Sequence, residues 1–469
     1  MLQARSGVSV EWVSSKAKDR RRVEDPRLSR MYWALLKQGV SEWRRRMWHA
    51  AVMRSGLLTF LVLSIVLAGL AFGWREHRLG QFAQLKRELN KRPVTDVAVR
   101  PGGQEVVQLQ RSQIAGGNGP EFLSATLLPG RGMNVLQIRA YLPQKGEVNL
   151  LASPTLQDAA RALTGTGADA SGAKSLAMGA AIELPWANRI TGVTTPDGKT
   201  LSTIWHGNRL VLPTDAKDSY GVTGVVAAGG LLLKQASDSI NTNVMPDGGE
   251  AQATYRPGNF DGHWPSQTEI MTTISLSGKA LTMKIVARNT GNAAEPMGIG
   301  WHPRFAVLSG HRAEMMLRLP EGMHLEVKDR RTGQLSGRLV PVERTEYDFT
   351  GRTGAQLGAL NLDDSFVHLK TGLMENGPMA ELRDPENDYG LRITAMTSSI
   401  KAIRVYAPLD GSYISVEPQS NYDDPFGHQW AKDEDTGMVV LQPGQSMQWK
   451  IRLEIFSLSS NDSGIFGEH

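Results

Sequence analysis

Two segments of this chain contain residue types suited to proton transfer. Gly298–Phe305 places His302 directly before a proline, at the end of an alternating polar and apolar run. Tyr413–Gln419 places Glu417 before another proline, at the end of a predicted strand. Histidine titrates near neutral pH, and a partly desolvated carboxylate is a stronger base than a solvated one. The pair therefore indicates general acid and base chemistry.

Each of these residues also has a structural interpretation. A lone histidine in a strand is more often satisfied by a backbone carbonyl, and a lone glutamate at a strand end is more often a solvated charge. A catalytic role for His302 and Glu417 therefore depends on further motifs elsewhere in the chain.

The elements that must position these residues are strands. The 49 glycines and 23 prolines, with no long helical periodicity after residue 165, predict a turn-rich all-β body. The one predicted helix of this body spans residues 155–163, where apolar residues recur at helical spacing. Short alternating runs predict strands at Glu105–Gln110, Glu269–Ser277, Leu281–Arg288, His324–Val327, Leu391–Ala395, Ala402–Tyr406 and Met447–Ile455.

Composition excludes several classes of site and partner. The chain has no cysteine, which excludes disulfides and thiolate metal sites. Residues 1–55 carry 13 Lys/Arg and 5 Asp/Glu, so the remaining residues have a net charge of −3 within the total of +5. A mildly acidic body is not expected to bind nucleic acid, and the basic tail is typical of a segment beside a membrane.

Residues 56–74 predict one transmembrane helix. The 19 residues carry no charge, and at about 1.5 Å per residue they span roughly the 30 Å hydrocarbon core. Trp74 at one end, with Arg54 and Arg75 just outside, favours this interpretation over a buried core helix. A cleaved signal peptide is disfavoured because its charged leader would exceed fifty residues.

The predicted organisation follows from this span. Residues 1–55 form a basic cytoplasmic tail, 75–93 a linker helix, 94–457 the globular domain and 458–469 a C-terminal tail. Near the membrane the charges almost balance, with five Lys/Arg in residues 36–55 and six in 75–94. The larger total charge of the tail places it in the cytoplasm and the domain in the periplasm or outside the cell.

Several motifs in the body occur in the order found in one protein family. Over residues 94–457 the chain resembles the aldose 1-epimerases, or galactose mutarotases. The matching segments are Met133-Asn134-Val135, Leu184-Pro185-Trp186-Ala187-Asn188-Arg189-Ile190 with Gly192, Asn289-Thr290-Gly291-Asn292, Trp301-His302-Pro303 with Phe305, Leu362-Asp363-Asp364-Ser365-Phe366, Val416-Glu417-Pro418-Gln419 and Leu441-Gln442-Pro443-Gly444.

The resemblance implies a β-sandwich, or supersandwich, with a carbohydrate cleft and a mechanism that needs no cofactor. Glu417 would take the proton from the anomeric hydroxyl and His302 would protonate the ring oxygen. Arg189 and Asp363 would hold sugar hydroxyls. From the residues alone, Arg189 also fits a structural ion pair, and Asp363 also fits a turn cap.

One position departs from the family pattern. A second histidine, in a His-Gly pair, is expected where this chain has Thr223-Gly224. Thr223 can hydrogen-bond a sugar but cannot carry a positive charge. His206, followed by Gly207, is an alternative match, and His263 is another.

The sequence lacks the motifs of metal-dependent, nucleophilic and phosphate-binding sites. The ten histidines show no metal-ligand spacing, and there is no nucleophile elbow or phosphate-binding loop. The leading hypothesis is a membrane-anchored mutarotase acting on a sugar or on the reducing end of an oligosaccharide. The alternatives are a carbohydrate-binding scaffold of an envelope polysaccharide system, with an envelope partner bound by the tail, and a glycoside-cleaving relative.

Overall fold

The computed structural model describes residues 66, 67, 70, 99–111, 119–214, 225–373 and 375–459. The chain divides into two compact units, Met1–Val97 and Ala98–His469. In the first unit, Val66, Leu67 and Leu70 are described as exposed helical residues.

The predicted membrane span lies outside the described residues apart from these three positions. None of the helices in the described part of the chain has the length and apolar character needed to cross a bilayer. The basic tail, the linker helix and residues 460–469 also lie outside the described residues.

The second unit is built from strands, as the composition predicted. Among the described residues, twelve strands form the larger sheet, in the order β1-β2-β3-β5-β16-β26-β25-β22-β19-β20, with β4 added beside β3 and β17 beside β26. Numbered along the chain, they are β1 (Val107–Gln110), β2 (Glu121–Leu128), β3 (Asn134–Leu142), β4 (Gly146–Asn149), β5 (Ala180–Glu183), β16 (Gly300–Pro303), β17 (Phe305–Ala306), β19 (Met323–Asp329), β20 (Gln334–Pro341), β22 (Leu362–Val367), β25 (Ala402–Ala407) and β26 (Tyr413–Gln419).

Nine strands of the described part of the chain form a second sheet, in the order β11-β12-β13-β14-β28-β24-β23-β18-β21. They are β11 (Ser239–Met245), β12 (Gly248–Gly258), β13 (Thr268–Leu276), β14 (Ala280–Asn289), β18 (Met316–Arg318), β21 (Ala355–Gln356), β23 (Met379–Asp384), β24 (Tyr389–Ala395) and β28 (Ser446–Phe456). Three small sheets complete the described strands: β6 (Arg189–Ile190) with β10 (Ala227–Ala228), β15 (Glu295–Met297) with β27 (Val439–Leu441), and β7 (Val193–Thr194), β8 (Thr200–Trp205) and β9 (Asn208–Pro213).

Alternation along the strands produces one continuous core. In β13, β14 and β28 every second residue is buried, as expected when one face of a strand packs inward. Ile274, Ile285 and Ile451 from these strands belong to the same cluster of buried side chains as Trp301 and Val416 of the larger sheet. The predicted strands are therefore confirmed, with ends that shift by a few residues.

The predicted helix is also confirmed. Helix α1 spans Leu156–Ala162, and the Thr155 hydroxyl accepts a hydrogen bond from the backbone N–H of Asp158 at 3.2 Å. This cap satisfies one of the free N–H groups of the first turn. Ala159 and Leu163 pack in a small buried cluster with Leu128 and Leu136 of the larger sheet.

Candidate active site

The two predicted catalytic residues lie on one face of the larger sheet. Glu417 of β26 lies opposite Arg404 of β25. Gly300 of β16, two residues before His302, lies opposite Gln419 of β26. Side chains alternate along a strand, so His302, Glu417 and Arg404 project from the same face. The intervening residues, such as Trp301 and Val416, face the apolar core.

The side chains of His302 and Glu417 are in direct contact. Nδ1 of His302 lies 2.9 Å from Oε1 of Glu417. Both residues are buried, with 3% and 0% of their surface exposed. The structure thus brings together two residues that are 115 positions apart in the sequence.

Arg404 is a member of this site that the sequence reasoning missed. Its Nη1 donates to Oε1 of Glu417 at 2.9 Å, and its Nη2 donates to Oδ1 of Asp363 at 2.6 Å. We call His302, Glu417, Arg404 and Asp363 the His302 cluster. The sequence did contain a signal for it: Arg404 is the one charged residue in the apolar run Ala402–Tyr406. A charge buried in a strand requires partners, so this arginine was a candidate for an ion pair.

The charges of the cluster determine the protonation of its glutamate. Burial by itself raises the pKa of Glu417, but the nearby charges of Arg404 and His302 and their hydrogen bonds outweigh it. The pKa of Glu417 therefore lies below its ordinary value, and the side chain is a carboxylate at neutral pH.

Arg189 lies beside the His302 cluster in a second buried ion pair. Its Nε and Nη2 donate to the carboxylate of Asp423 over distances of 2.5 to 3.0 Å, and Nη2 also donates to the carbonyl of Gly333 at 3.0 Å. Burial lowers the pKa of Arg189, while Asp423 and Asp363 together raise it above its usual value. The structural alternative for Arg189 is therefore observed, and Asp423 was not foreseen.

Several buried polar atoms in this region have no hydrogen-bond partner among the described residues. They are Oε2 of Glu417, Nη1 of Arg189, Oγ of Ser415 and both side-chain polar atoms of Asn188 and Gln419. A buried polar group without a partner costs about 1–3 kcal/mol. Their concentration on and beside one sheet face indicates a site that a polar ligand would satisfy.

A glycine keeps space in this face. A Cβ atom on Gly300 would lie 2.5 Å from Cβ of Ala187 and 3.2 Å from Cβ of Gln419. Contacts below 3.0 Å are not tolerated, so a side chain here would push Ala187 and the neighbouring Asn188 out of place. Gly300 therefore allows the Asn188 segment to approach the sheet.

The three positions considered for the missing histidine are Thr223, His206 and His263. Thr223 lies outside the described residues. His206 adopts a φ of 45° in the β8–β9 hairpin and stacks on Trp205, with ring centroids 4.6 Å apart. It lines a cavity of about 410 Å³ with His263 and Trp264. No residue of the His302 cluster lines that cavity, so sugar binding by His206 and by Thr223 stays a prediction.

The residues described offer one arrangement with the geometry of metal ligands. His311, Glu314 and Glu386 place their ligand atoms within 4.8 Å of one another, and all three are exposed. None of them is a predicted site residue, and none contributes to the His302 cluster.

Comparison with known proteins identifies a family that resembles this chain. The family model described as aldose 1-epimerase matches residues 234–454, which include every member of the His302 cluster and Asp423. The resemblance to the aldose 1-epimerases is therefore confirmed. Arg189, His206 and Thr223 precede the matched residues.

Solved structures of galactose mutarotase-like proteins and aldose epimerase homologues share the fold over three quarters of this chain. A galactose mutarotase-like protein from Clostridium acetobutylicum superposes with a TM-score of 0.57 at 15% identity, over 75% of this chain and 98% of that one. An aldose epimerase homologue from C. elegans gives 0.54 at 17% identity, over 75% and 98%. The predicted galactose mutarotase-like β-sandwich is thus confirmed as a fold. The comparison with curated proteins yields no match.

Proposed function

We propose that this protein is a mutarotase that interconverts the α and β anomers of an aldose. The observation that carries the proposal is the buried contact between His302 and Glu417 beside a set of unsatisfied polar atoms. Oε1 of Glu417 is held by His302 and Arg404, whereas Oε2 is buried and has no partner among the described residues. Oε2 is the atom that would receive the substrate proton.

The reaction is a pair of coupled proton transfers. Glu417 takes the proton from the hydroxyl on C1, a C1 carbonyl forms, and the bond between C1 and the ring oxygen breaks. His302 gives its proton to the ring oxygen as that bond breaks. After rotation about the C1–C2 bond, the same steps run in reverse and close the ring on the other face. No redox partner or cofactor is consumed in this sequence.

The arginines have supporting roles in this proposal. Arg404 keeps Glu417 ionised and holds its carboxylate in one orientation. Arg189 is held by Asp423, which leaves Nη1 as the atom that can donate to a sugar hydroxyl. Asp363 retains 23% of its side-chain surface, so it can still accept from a hydroxyl while paired with Arg404. Both predicted substrate-binding roles are therefore kept in the proposal.

We further propose that residues 56–74 anchor the protein in the cytoplasmic membrane, with the catalytic unit outside the cytoplasm. The support is the uncharged length of this segment and its flanking arginines. The basic tail would then face the cytoplasm, where an envelope protein could bind it. Carbonate extraction of membranes and reporter fusions at the two termini test this topology, and release of the protein by carbonate would exclude the anchor.

A non-catalytic sugar-binding role is the second candidate. It is favoured by the low pKa of Glu417, because a carboxylate with a lowered pKa is a weaker base. A glycoside hydrolase is disfavoured because a single guanidinium binds both Glu417 and Asp363, whereas hydrolysis needs one carboxyl group that stays protonated.

NMR exchange spectroscopy of glucose and galactose anomers with the full chain tests the proposal. His302→Ala and Glu417→Gln should each reduce the catalysed exchange rate by about 100-fold or more. His428→Ala and Glu147→Gln, which change the same residue types at exposed positions outside the cluster, serve as matched controls. Exchange at the buffer rate with every aldose, together with measurable sugar binding, would favour the non-catalytic candidate.

A further inference from the structure

The face that carries the His302 cluster continues beyond it as an aromatic surface. Tyr413, Ser415 and Glu417 alternate along β26 and therefore project from the same face. Tyr406 of β25 lies opposite Ser415, and its ring centroid is 6.0 Å from that of Tyr413. Both tyrosine rings are half-buried.

This surface directly adjoins the catalytic groups. Arg404 forms an ion pair with Glu417, and its guanidinium carbon lies 5.5 Å from the ring centroid of Tyr406. From Glu417 to Tyr413 the strand advances by four residues, or about 13 Å. That length exceeds a single pyranose ring bound at Glu417, so a monosaccharide would leave Tyr413 uncovered.

Arg304 extends the same surface from a neighbouring segment. Its guanidinium carbon lies 3.8 Å from the centroid of Tyr413, in a cation–π contact. Arg304 follows His302 by two residues and therefore links the His302 segment to the tyrosines of the sheet face.

We propose that Tyr406, Tyr413 and Arg304 form a binding platform for further sugar units of an oligosaccharide whose reducing end lies at Glu417. Tyrosine rings offer an apolar face and a polar hydroxyl, which suits the C–H faces and hydroxyl groups of pyranoses. The guanidinium adds planar N–H donors that match neighbouring hydroxyl oxygens. The platform rests on the proposed function, because that function places the reducing end at Glu417.

Affinity as a function of chain length tests the platform. The full chain, in a detergent without a sugar headgroup, is titrated by calorimetry with glucose and galactose and with maltotriose, cellotriose and β-1,4-galactotriose. Each trisaccharide is also used after borohydride reduction, which removes its anomeric centre. Wild-type protein should bind at least one trisaccharide about tenfold more tightly than its monosaccharide.

The variants separate stacking from general effects on the fold. Tyr413→Ala and Arg304→Ala should each reduce the trisaccharide advantage to less than about twofold, whereas Tyr413→Phe retains the ring face and the advantage. Tyr141→Ala, at an exposed tyrosine of β3, is the matched control. If thermal melting shows that Tyr413→Ala is unfolded, Arg304→Ala decides the outcome.

Two results would overturn the platform: no gain of affinity with chain length in any of the three series, or a gain that both alanine variants retain. Anomer exchange of the monosaccharides, measured on the same samples, reports on the proposed function separately. A trisaccharide advantage without anomer exchange would remove the mutarotase and keep the platform. Anomer exchange without a trisaccharide advantage would keep the mutarotase and overturn the platform.

Discussion

Two histidine–carboxylate–arginine clusters lie on opposite faces of β22. Asp363 faces the His302 cluster, while the next residue, Asp364, faces the other way. Oδ1 of Asp364 lies 2.6 Å from Nε2 of His324, and Arg330 donates to both oxygens of the carboxylate at 2.7 and 2.8 Å. We call His324, Asp364 and Arg330 the His324 cluster.

The two clusters differ in whether every carboxylate oxygen accepts a hydrogen bond. Each oxygen of Asp364 accepts two hydrogen bonds, because the backbone N–H of Asp363 adds a bond of 3.0 Å to Oδ2. Tyr347 stacks on His324, with ring centroids 4.1 Å apart. In the His302 cluster, by contrast, Oε2 of Glu417 is buried without a partner among the described residues. A histidine–carboxylate contact therefore indicates chemistry only when an atom remains for the substrate.

Catalytic exchange should separate the clusters most strongly. Glu417→Gln removes the base and is expected to lower the anomer exchange rate by about 100-fold or more. His324→Ala should leave the rate within about twofold of wild type, because no atom of the His324 cluster is assigned to the substrate. NMR exchange spectroscopy measures both rates, and a comparable loss in the two variants would contradict the distinction.

Loss of a carboxylate should destabilise the fold more in the His324 cluster than in the His302 cluster. Asp364→Ala leaves the buried His324 and the exposed Arg330 without their carboxylate and is expected to cost about 2–3 kcal/mol of unfolding free energy, mainly through His324. Glu417→Gln should cost less than about 2 kcal/mol, because Arg404 keeps Asp363 as a partner. Urea denaturation of the full chain measures both values. Equal losses would mean that the His302 cluster is as important structurally as the His324 cluster.

Glu295 shows what burial does to a carboxyl group that forms no ion pair among the described residues. Burial raises the pKa of Glu295 to about 7, although a hydrogen bond from Thr268 opposes the shift. The folded chain therefore binds a proton that the unfolded chain loses near pH 4.5, and stability falls as pH rises from about 4.5 to 7. Glu295→Gln should increase unfolding free energy at pH 8 by up to about 3 kcal/mol and have little effect at pH 4. Thermal melting at both pH values checks this, and equal gains would exclude titration of Glu295 as the cause.

The pH dependence of the reaction should show the smallest effect. Arg404→Gln removes the cation that holds the pKa of Glu417 down, so the acid limb of kcat/KM should move to higher pH. Arg330→Gln, which changes the same residue type in the His324 cluster, is the control and should leave the limb in place. An unchanged limb in Arg404→Gln would show that Glu417 is not the titrating base.

Much of the fold was predictable because its signals are local. The alternation in Glu269–Ser277 and Met447–Ile455 directly reflects one buried strand face, and the helix after Thr155 follows from a cap and helical spacing. Within the site, His302, Glu417 and Asp363 were identified by motifs that occur in family order. Each of these signals is contained in a few neighbouring residues.

The partners of these residues were not predictable in the same way. Arg404 binds Asp363, 41 residues away, and Arg189 binds Asp423, 234 residues away. Such pairs depend on which strands become neighbours and in what register, and a shift of one residue would move each side chain to the opposite face.

By itself, therefore, the sequence determined a β-rich body, one predicted membrane segment and the residue types of an acid–base pair. Only the tertiary structure decided which ions neutralise one another and which polar atoms remain for a ligand. The physical reason is that burial makes hydrogen-bond partners obligatory, and the nearest partner is chosen by strand order and register rather than by position along the chain.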